Sequence, residues 1–256
     1  QGFPTIRVIK DNKTLHEKII NIIQKISTEL VINYKYFEPN SDFINLMEEY
    51  NNLLNSEWKG VTDKCVFCNF ANWSRFYISD LYPNIDKGLY LDMDILFKNK
   101  IDKLFKTDIS NKIVGVSPYE TNIATLFTIN KDILIKSFKK LDLNLNILKK
   151  KNYNCGVLYY NFELFKKNNV REKIFNFIKY QIKNNILITP TGTERNQNII
   201  ISDYARFSNK YNFIINRRLP VTNKDLKKIK ILHFKGETNL IKNNLYLEKY
   251  NFIMNI

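Results

Sequence analysis

Two acidic side chains, Asp92 and Asp94, have the clearest potential for chemistry in this sequence. They directly follow the short apolar segment 87–91, and positions two apart on an extended strand project to the same side. Carboxylates about 7 Å apart repel each other by ~2–3 kcal/mol at an effective dielectric of 20. A divalent cation removes that repulsion, and oxygen ligands suit Mg²⁺ or Mn²⁺. An isolated Asp-x-Asp also arises by chance, so the pair alone leaves a solvated acidic turn open.

His233 is the second candidate, because it ends another apolar segment in a chain with only two histidines. It could be a third metal ligand, or a hydrogen-bonded structural histidine. Gly236, three residues later, would let a backbone amide approach a phosphate closely. His16 falls in a predicted helix beside charged neighbours, and we expect it to be solvated.

The elements around these residues read as an α/β protein. Residues 5–10 and 31–37 alternate like strands, and residues 14–28 between them have helical spacing. Such a unit implies a mostly parallel sheet with helices on its faces. No repeat or Pro/Gly/Ser linker interrupts the chain, so residues 1–256 are expected to form one domain. Further helices are predicted at 42–54, 71–81, 131–140, 170–183 and 197–207, and further strands at 87–91, 112–116, 123–129, 156–160, 213–215 and 229–234.

Composition indicates a folded, soluble protein. The 256 residues are 44% hydrophobic and 14% aromatic, which disfavours disorder. No apolar run reaches the ~18 residues that a membrane span needs, and residues 1–10 lack the features of a signal peptide. Three cysteines, an odd number, provide no disulfide framework and suit a reducing compartment. We therefore expect a cytoplasmic protein that is not transmembrane.

The formal charge of +15 has two interpretations. Lys, Asn and Ile are abundant, as an AT-rich genome favours, so much of the charge could lie on solvated faces. Alternatively, the partner is anionic: a nucleotide diphosphate, an acidic glycan or a nucleic acid. No RNA- or DNA-binding motif supports nucleic acid, which we do not expect as a partner. Cys65 and Cys68 have metal-site spacing but no second pair, and buried thiols are expected.

Four blocks of sequence resemble glycosyltransferase family 8, the group that contains glycogenin, bacterial lipopolysaccharide glucosyl- and galactosyltransferases and plant pectin synthases. The resemblance covers roughly residues 69–239, about two thirds of the chain, in matching order and spacing. The blocks are WSRFYISDLYP at 73–83 with KGLYLDMD at 87–94, YNCGVLYYN at 153–161, Asn196-Gln197, and HFKG at 233–236.

This resemblance implies a GT-A type nucleotide-diphospho-sugar transferase, a Rossmann-like α/β fold with a mostly parallel central sheet. Its activity would be the metal-dependent, retaining transfer of a hexose from a UDP-sugar, with UDP-glucose or UDP-galactose favoured. The acceptor would be a glycan, a lipid or a protein, and a homodimer is possible.

The resemblance also implies roles for individual residues. Asp92, Asp94 and His233 would hold Mn²⁺ or Mg²⁺, which neutralises charge on the departing UDP. Arg75 would contact the phosphate or sugar of the donor. The remaining residues implied to bind the donor are Met93, Gly156, Gly236 and Asn239, and those implied to act at the reacting centre are Asn154, Asn196 and Gln197.

The chain departs from the family pattern at three places. Asn196 stands where the family has Asp, and Asn239 stands where it has Lys. Residues 5–10 align with the second strand of the family, so its first strand is missing, divergent or outside the given chain. These three departures leave open an alternative, a catalytically impaired nucleotide-sugar or glycan binding module on the same fold. Residues 240–256 are expected to form a C-terminal tail.

Overall fold

The protein was analysed as a computed structural model, which describes residues 5–8, 32–35, 37–57, 70–127, 129–189, 192–214 and 227–234. Five of the predicted features lie outside the described residues. They are the helix at 14–28, the cysteines Cys65 and Cys68, Gly236, Asn239 and the tail at 240–256.

The described elements alternate between strands and helices along the chain. The strands are β1 (Thr5–Val8), β2 (Ile32–Lys35), β3 (Lys87–Leu91), β4 (Ile95–Phe97), β5 (Val114–Val116), β6 (Pro118–Asn122), β7 (Lys151–Tyr153), β8 (Val157–Asn161), β9 (Ala205–Arg206), β10 (Phe213–Ile214) and β11 (Ile231–His233). The α-helices are α1 (Ser41–Glu57), α2 (Phe70–Trp73), α3 (Ile78–Leu81), α4 (Lys131–Lys140), α5 (Phe162–Lys167), α6 (Val170–Lys183) and α7 (Gly192–Ile200).

The described sheets are mixed in direction. A four-stranded sheet has the order β3-β8-β5-β9, with β8 antiparallel to both neighbours and β5 parallel to β9. A three-stranded sheet has the order β10-β11-β4, in which β11 is parallel to β10 and antiparallel to β4. The parallel pair β1-β2 agrees with the predicted strand, helix, strand unit. The two larger sheets are therefore mixed and not mostly parallel as expected. The sequence could not show this, because apolar periodicity identifies a strand but does not give its direction.

Strand β8 lies at the centre of the core. All five of its residues are buried, and the first four alternate between two hydrophobic clusters. Leu158 and Tyr160 pack with α1, α6 and the segment around Trp73, whereas Val157 and Tyr159 pack with Leu104, Ile109 and Phe207. Successive side chains of a strand point to opposite faces, so this one strand joins both clusters. The strand is therefore packed on both of its faces.

Three predicted elements differ from the structure. The helix predicted at 71–81 is divided, because a 3₁₀ helix at Ser74–Tyr77 separates α2 from α3. The strand predicted at 123–129 is wrong: Ile123–Leu126 is a short 3₁₀ helix, and the strand lies earlier, at Pro118–Asn122. Its apolar residues pack against Phe138 and Ile188 without being in a sheet. The helix predicted at 197–207 begins earlier, at Gly192, and ends at Ile200. Its predicted last turn is instead strand β9.

Asn198 connects α7 to strand β7. Its side chain is fully buried and its Nδ2 donates to the Tyr153 and Glu194 carbonyl oxygens, both at 2.8 Å. Its Oδ1 accepts from the Tyr153 N–H at 2.8 Å. The amide thus satisfies both backbone groups of Tyr153, as a neighbouring strand would.

We predict that Asn198→Asp lowers the free energy of unfolding by about 3 kcal/mol, because a carboxylate cannot donate to the two buried carbonyl groups. Urea unfolding measures this loss. Asn184→Asp is the matched control, since Asn184 makes a similar bond to the Tyr180 carbonyl at 2.8 Å but is exposed. We expect the control to change stability by about 0.5 kcal/mol or less. Equal losses in the two variants would contradict the bridging role of Asn198.

Candidate functional site

The pairing of β4 with β11 brings the acidic pair and the histidine together. Asp92 and Asp94 lie in the connection between β3 and β4, and His233 pairs with Ile95 in the antiparallel register. The Phe234 N–H donates to the Asp94 carbonyl at 2.9 Å, which extends the pairing past the strand end. Backbone hydrogen bonds therefore place the imidazole beside two carboxylates that are distant from it in the sequence.

The three side chains form a compact cluster that can hold a divalent cation. The His233 Nε2 atom lies 3.3 Å from Asp94 Oδ1 and 3.8 Å from Asp92 Oδ2. One ligand atom from each residue lies within 4.8 Å of the others. The His233 side chain is 2% exposed, against 12% for Asp94 and 27% for Asp92, so the cluster opens to solvent on its acidic side. Two oxygens and one imidazole nitrogen suit Mn²⁺ or Mg²⁺ with room for further oxygen ligands.

Gly156 makes room for the histidine ring. A Cβ atom on Gly156 would lie 2.1 Å from His233 Cε1, 2.6 Å from Nδ1 and 2.8 Å from Nε2. No side chain fits there, so the ring can rest across the backbone only because residue 156 is glycine. The Gly156 carbonyl accepts from the Asp92 N–H at 2.8 Å, which ties the acidic turn to the start of β8. Gly156 was predicted to bind the donor; its observed contact is with the proposed metal ligand.

Arg75 is buried and holds Asp92 in place. Its Nη2 donates to Asp92 Oδ1 at 3.2 Å, its Nη1 to the Cys155 carbonyl at 3.2 Å and its Nε to the Asn72 carbonyl at 2.9 Å. The guanidinium lies over the ring of Tyr90, 4.6 Å from its centroid, and the Tyr90 hydroxyl donates to the same Asp92 oxygen at 2.7 Å. The predicted contact of Arg75 with donor phosphate or sugar stays a prediction; the structure adds an orienting role.

The charges of these groups are coupled. Burial alone would lower the pKa of Arg75, but the nearby Tyr90 and Asp92 outweigh it, and the pKa is raised above its ordinary value. Burial raises the pKa of the Tyr90 hydroxyl, with Arg75 opposing and Asp92 reinforcing the shift. Arg75 therefore stays cationic and Tyr90 stays a neutral donor, so one charged and one neutral group donate to the same Asp92 oxygen.

Two residues that the sequence analysis missed extend the cluster inward. The Glu194 Oε2 atom accepts from Asn154 Nδ2 at 2.8 Å, and Asn154 Oδ1 accepts from the Gly156 N–H at 2.8 Å. Asn212 lies between Asn154 and His233, with distances of 3.1 Å and 2.9 Å. The predicted site residue Asn154 is thus linked to the metal cluster. Glu194 and Asn212 carry no local motif, so a single sequence offers no signal for them.

Asn196 is placed away from the acidic pair. It is fully buried, and its Oδ1 accepts from Thr189 Oγ1 at 3.0 Å and from Gln181 Nε2 at 3.3 Å. Its Nδ2 donates to the Gly192 carbonyl at 2.7 Å and to the Tyr50 hydroxyl at 3.2 Å. An aspartate would turn an oxygen towards that carbonyl, so the surroundings favour an amide here. The catalytic role of Asn196 stays a prediction that these contacts do not support.

The other predicted residues are also dispersed. Gln197 is fully buried, its Oε1 accepts from the Tyr160 hydroxyl at 3.1 Å, and its Nε2 has no partner among the described residues. Met93 projects outwards between the two acids and is 86% exposed. The structure thus brings together Arg75, Asp92, Asp94, Asn154, Gly156 and His233, but not Gln197 or Asn196.

Known proteins share this architecture. The family model described as glycosyl transferase family 8 matches residues 9–239, and the chain belongs to that family. Two curated relatives from Arabidopsis thaliana are probable galacturonosyltransferase 13, 21% identical over 136 residues, and probable galacturonosyltransferase 14, 19% identical over 183 residues. These matches cover 50% and 67% of this chain but only 24% and 33% of those relatives. The chain therefore matches a third or less of their length.

Solved structures agree on the fold. Mouse xyloside xylosyltransferase 1 aligns with a TM-score of 0.53 at 11% identity, covering 92% of this chain and 85% of that one. An active-site mutant of LgtC aligns with a TM-score of 0.51 at 12% identity, covering 91% and 88%. The chain has the GT-A fold of these glycosyltransferases. In the part of the chain that the structure describes, no helix has the length and apolar character needed to cross a membrane.

We predict that Gly156→Ala weakens Mn²⁺ binding by about 10-fold or more, because the added methyl displaces the His233 ring from the acidic pair. Titration calorimetry measures the dissociation constant. Gly115→Ala is the matched control: its Cβ would lie 3.2 Å from the nearest atom, the Cγ2 methyl of Ile109, and far less close to its neighbours than at Gly156. We expect the control to bind Mn²⁺ as the wild type does. Wild-type affinity in Gly156→Ala would contradict a metal site that includes His233.

Proposed function

We propose that this protein is a metal-dependent, retaining glycosyltransferase that moves a hexose from a UDP-sugar to a glycan, lipid or protein acceptor. The convergence of Asp92, Asp94 and His233 carries this proposal. Family membership supports glycosyl transfer, and the cluster supports the use of a divalent cation together with a diphosphate. A cation held by these three groups supplies a Lewis acid that neutralises charge on the departing nucleotide diphosphate.

The residues of the chain prepare that site. Arg75 and Tyr90 both contact Asp92 Oδ1, which restricts the carboxylate to one orientation. That leaves the second oxygen, Oδ2, towards His233. Burial of the imidazole excludes water from one side of the cluster, while the partly exposed acids face the side from which a donor can approach. Pre-orientation of this kind lowers the reorganisation that the reaction would otherwise require.

Glu194 is the third carboxylate of this region, after Asp92 and Asp94. Its Oε2 accepts from Asn154 Nδ2 at 2.8 Å and from the Cys155 N–H at 3.4 Å, and these two hydrogen bonds hold it against residues 154 and 155. The aspartate that the family places beside Gln197 is Asn196 here. Glu194, one helical half-turn earlier, keeps a partly exposed carboxylate near the cluster. The replacement at 196 therefore does not remove all negative charge from the site.

The donor sugar is the least constrained part of the proposal. UDP-glucose and UDP-galactose are the donors favoured by the sequence. The relatives named galacturonosyltransferases and the solved xylosyltransferase add UDP-galacturonate and UDP-xylose to the donors worth testing. A homodimer and a cytoplasmic location are further predictions. Cys155, the cysteine that the structure describes, is a buried free thiol, as a reducing compartment would allow.

A catalytically impaired nucleotide-sugar binding module is the second candidate. The observation that favours it is that the hydrogen-bond partners found for the Asn196 and Gln197 side chains include neither acid. Such a protein would bind UDP with Mn²⁺ but would release no UDP from any UDP-sugar. A donor-hydrolysis assay that detects released UDP separates the two candidates.

We predict that Mn²⁺ and a UDP-sugar together raise the melting temperature of the wild type, and that Asp94→Asn abolishes the shift. A ligand at 100 times its dissociation constant stabilises the folded state by ~2.7 kcal/mol. Differential scanning fluorimetry with UDP-glucose, UDP-galactose, UDP-galacturonate and UDP-xylose measures the shift, with and without Mn²⁺.

Asp203→Asn is the control for this experiment. Asp203 forms a surface ion pair with Lys112 at 2.7 Å, and its side chain is 72% exposed. The same chemical change there should leave the ligand-induced shift intact. If none of the UDP-sugars shifts the wild type at millimolar concentration, the proposed function is wrong.

A further inference from the structure

The side chain of Asn212 connects the histidine to the protein interior. Its Oδ1 lies 2.9 Å from His233 Nδ1, and its Nδ2 donates to Asn154 Oδ1 at 3.1 Å. Asn212, Asn154 and His233 are all buried. A neutral imidazole carries its proton on one nitrogen only, so the direction of the bond at Nδ1 determines which nitrogen has a lone pair to offer.

The orientation of Asn154 is determined by two neighbours. Glu194 Oε2 is a carboxylate oxygen and can only accept, so Asn154 must turn its Nδ2 towards it, at 2.8 Å. The Gly156 N–H can only donate, so Asn154 must turn its Oδ1 towards that group, also at 2.8 Å. Both contacts require the same amide orientation.

The orientation of Asn212 follows from that of Asn154. Asn154 Oδ1 can only accept, so Asn212 presents its Nδ2 to it and its own Oδ1 to His233. An oxygen acceptor 2.9 Å from Nδ1 holds a proton on that nitrogen. We propose that Glu194, Asn154 and Asn212 form a positioning relay that keeps the proton on His233 Nδ1, leaving Nε2 as the nitrogen that binds the cation.

The relay opposes a competing arrangement within the same site. His233 Nε2 faces Asp94 Oδ1 at 3.3 Å and Asp92 Oδ2 at 3.8 Å, and both oxygens would accept a proton from it. A protonated Nε2 has no lone pair and cannot be a metal ligand. Asn212 provides the shorter contact on the opposite side of the ring. This inference rests on the proposed function, because it treats the His233 imidazole as a metal ligand.

The protonated nitrogen can be observed directly. The chain has two histidines, so a ¹⁵N-histidine sample of the His16→Gln variant contains a single imidazole. Long-range ¹H–¹⁵N spectra recorded without metal and with Mg²⁺ should show a proton on Nδ1 of His233 in both states. A proton-free Nδ1 in either state would overturn the relay, whatever the variants below do.

Two substitutions at position 212 separate the relay from a merely structural role. Asn212→Leu removes the acceptor, and we expect loss of the Nδ1 proton signal and a rise of about 10-fold or more in the Mn²⁺ dissociation constant. Asn212→Asp keeps an oxygen facing Nδ1, and we expect the Nδ1 proton to be retained. An Asn212→Leu protein that keeps both the Nδ1 proton and its Mn²⁺ affinity would contradict the proposal.

Asn152→Leu is the matched control. Asn152 is also buried, but its amide contacts Thr121, Asn122 and Thr125 rather than the relay. We expect a lower melting temperature with an unchanged Nδ1 proton and unchanged Mn²⁺ affinity. A wild type that shows the Nδ1 proton but binds neither Mn²⁺ nor Mg²⁺ would overturn the proposed function and keep the relay. Normal metal binding with a proton-free His233 Nδ1 would overturn the relay and keep the proposed function.

Discussion

The backbone pairing of β4 with β11 is the constraint on which the site depends. Ile95 lies opposite His233 in the register, and the Phe234 N–H continues the contact to the Asp94 carbonyl. A shift of one residue would turn the imidazole to the other face of the sheet, away from both acids. The same turn is tied to β8 through the Gly156 carbonyl, so three segments distant in sequence meet within hydrogen-bond distance.

The charges of the side chains around Asp92 and Asp94 explain why this site suits a cation rather than a diphosphate alone. Arg75 provides one positive charge against the carboxylates of Asp92, Asp94 and Glu194, which leaves two negative charges uncompensated among these groups. The chain as a whole is strongly basic. Among the described residues, Arg75 is the cation that contacts the cluster. A pyrophosphate would be repelled until a divalent cation neutralised the acids. The site therefore favours binding of the cation before, or together with, the donor.

Sequence reasoning succeeded where the signal is local and failed where it depends on tertiary contacts. Segment 87–91 and the helices at 131–140 and 170–183 were predicted with the observed bounds, because their apolar spacing is regular. The apolar run at 123–129 was wrongly predicted as a strand, since its described apolar side chains pack against α4 and α6 without sheet pairing. The acidic pair and His233 could be predicted from position at strand ends. Glu194 and Asn212 could not, because their partners lie dozens of residues away along the chain.

Part of the high asparagine content lies in the protein interior, which composition alone does not show. At exposed positions any polar residue is tolerated, so asparagine there needs no structural reason. Six asparagines are nevertheless buried in the described part of the chain: Asn152, Asn154, Asn161, Asn196, Asn198 and Asn212. Each uses its amide both to donate and to accept, a combination that aspartate cannot provide.

Asn161 illustrates the principle away from the site, where its Nδ2 donates to the Ile109 carbonyl at 3.0 Å and its Oδ1 accepts from the Leu164 N–H at 3.0 Å. Asn196 follows the same pattern, with two donors and two acceptors around one amide. Asparagine at 196, where the family resemblance implies aspartate, therefore matches these interior hydrogen bonds. Loss of a catalytic group is not needed to explain it, and the carboxylate closest to Asn154 in this region belongs to Glu194.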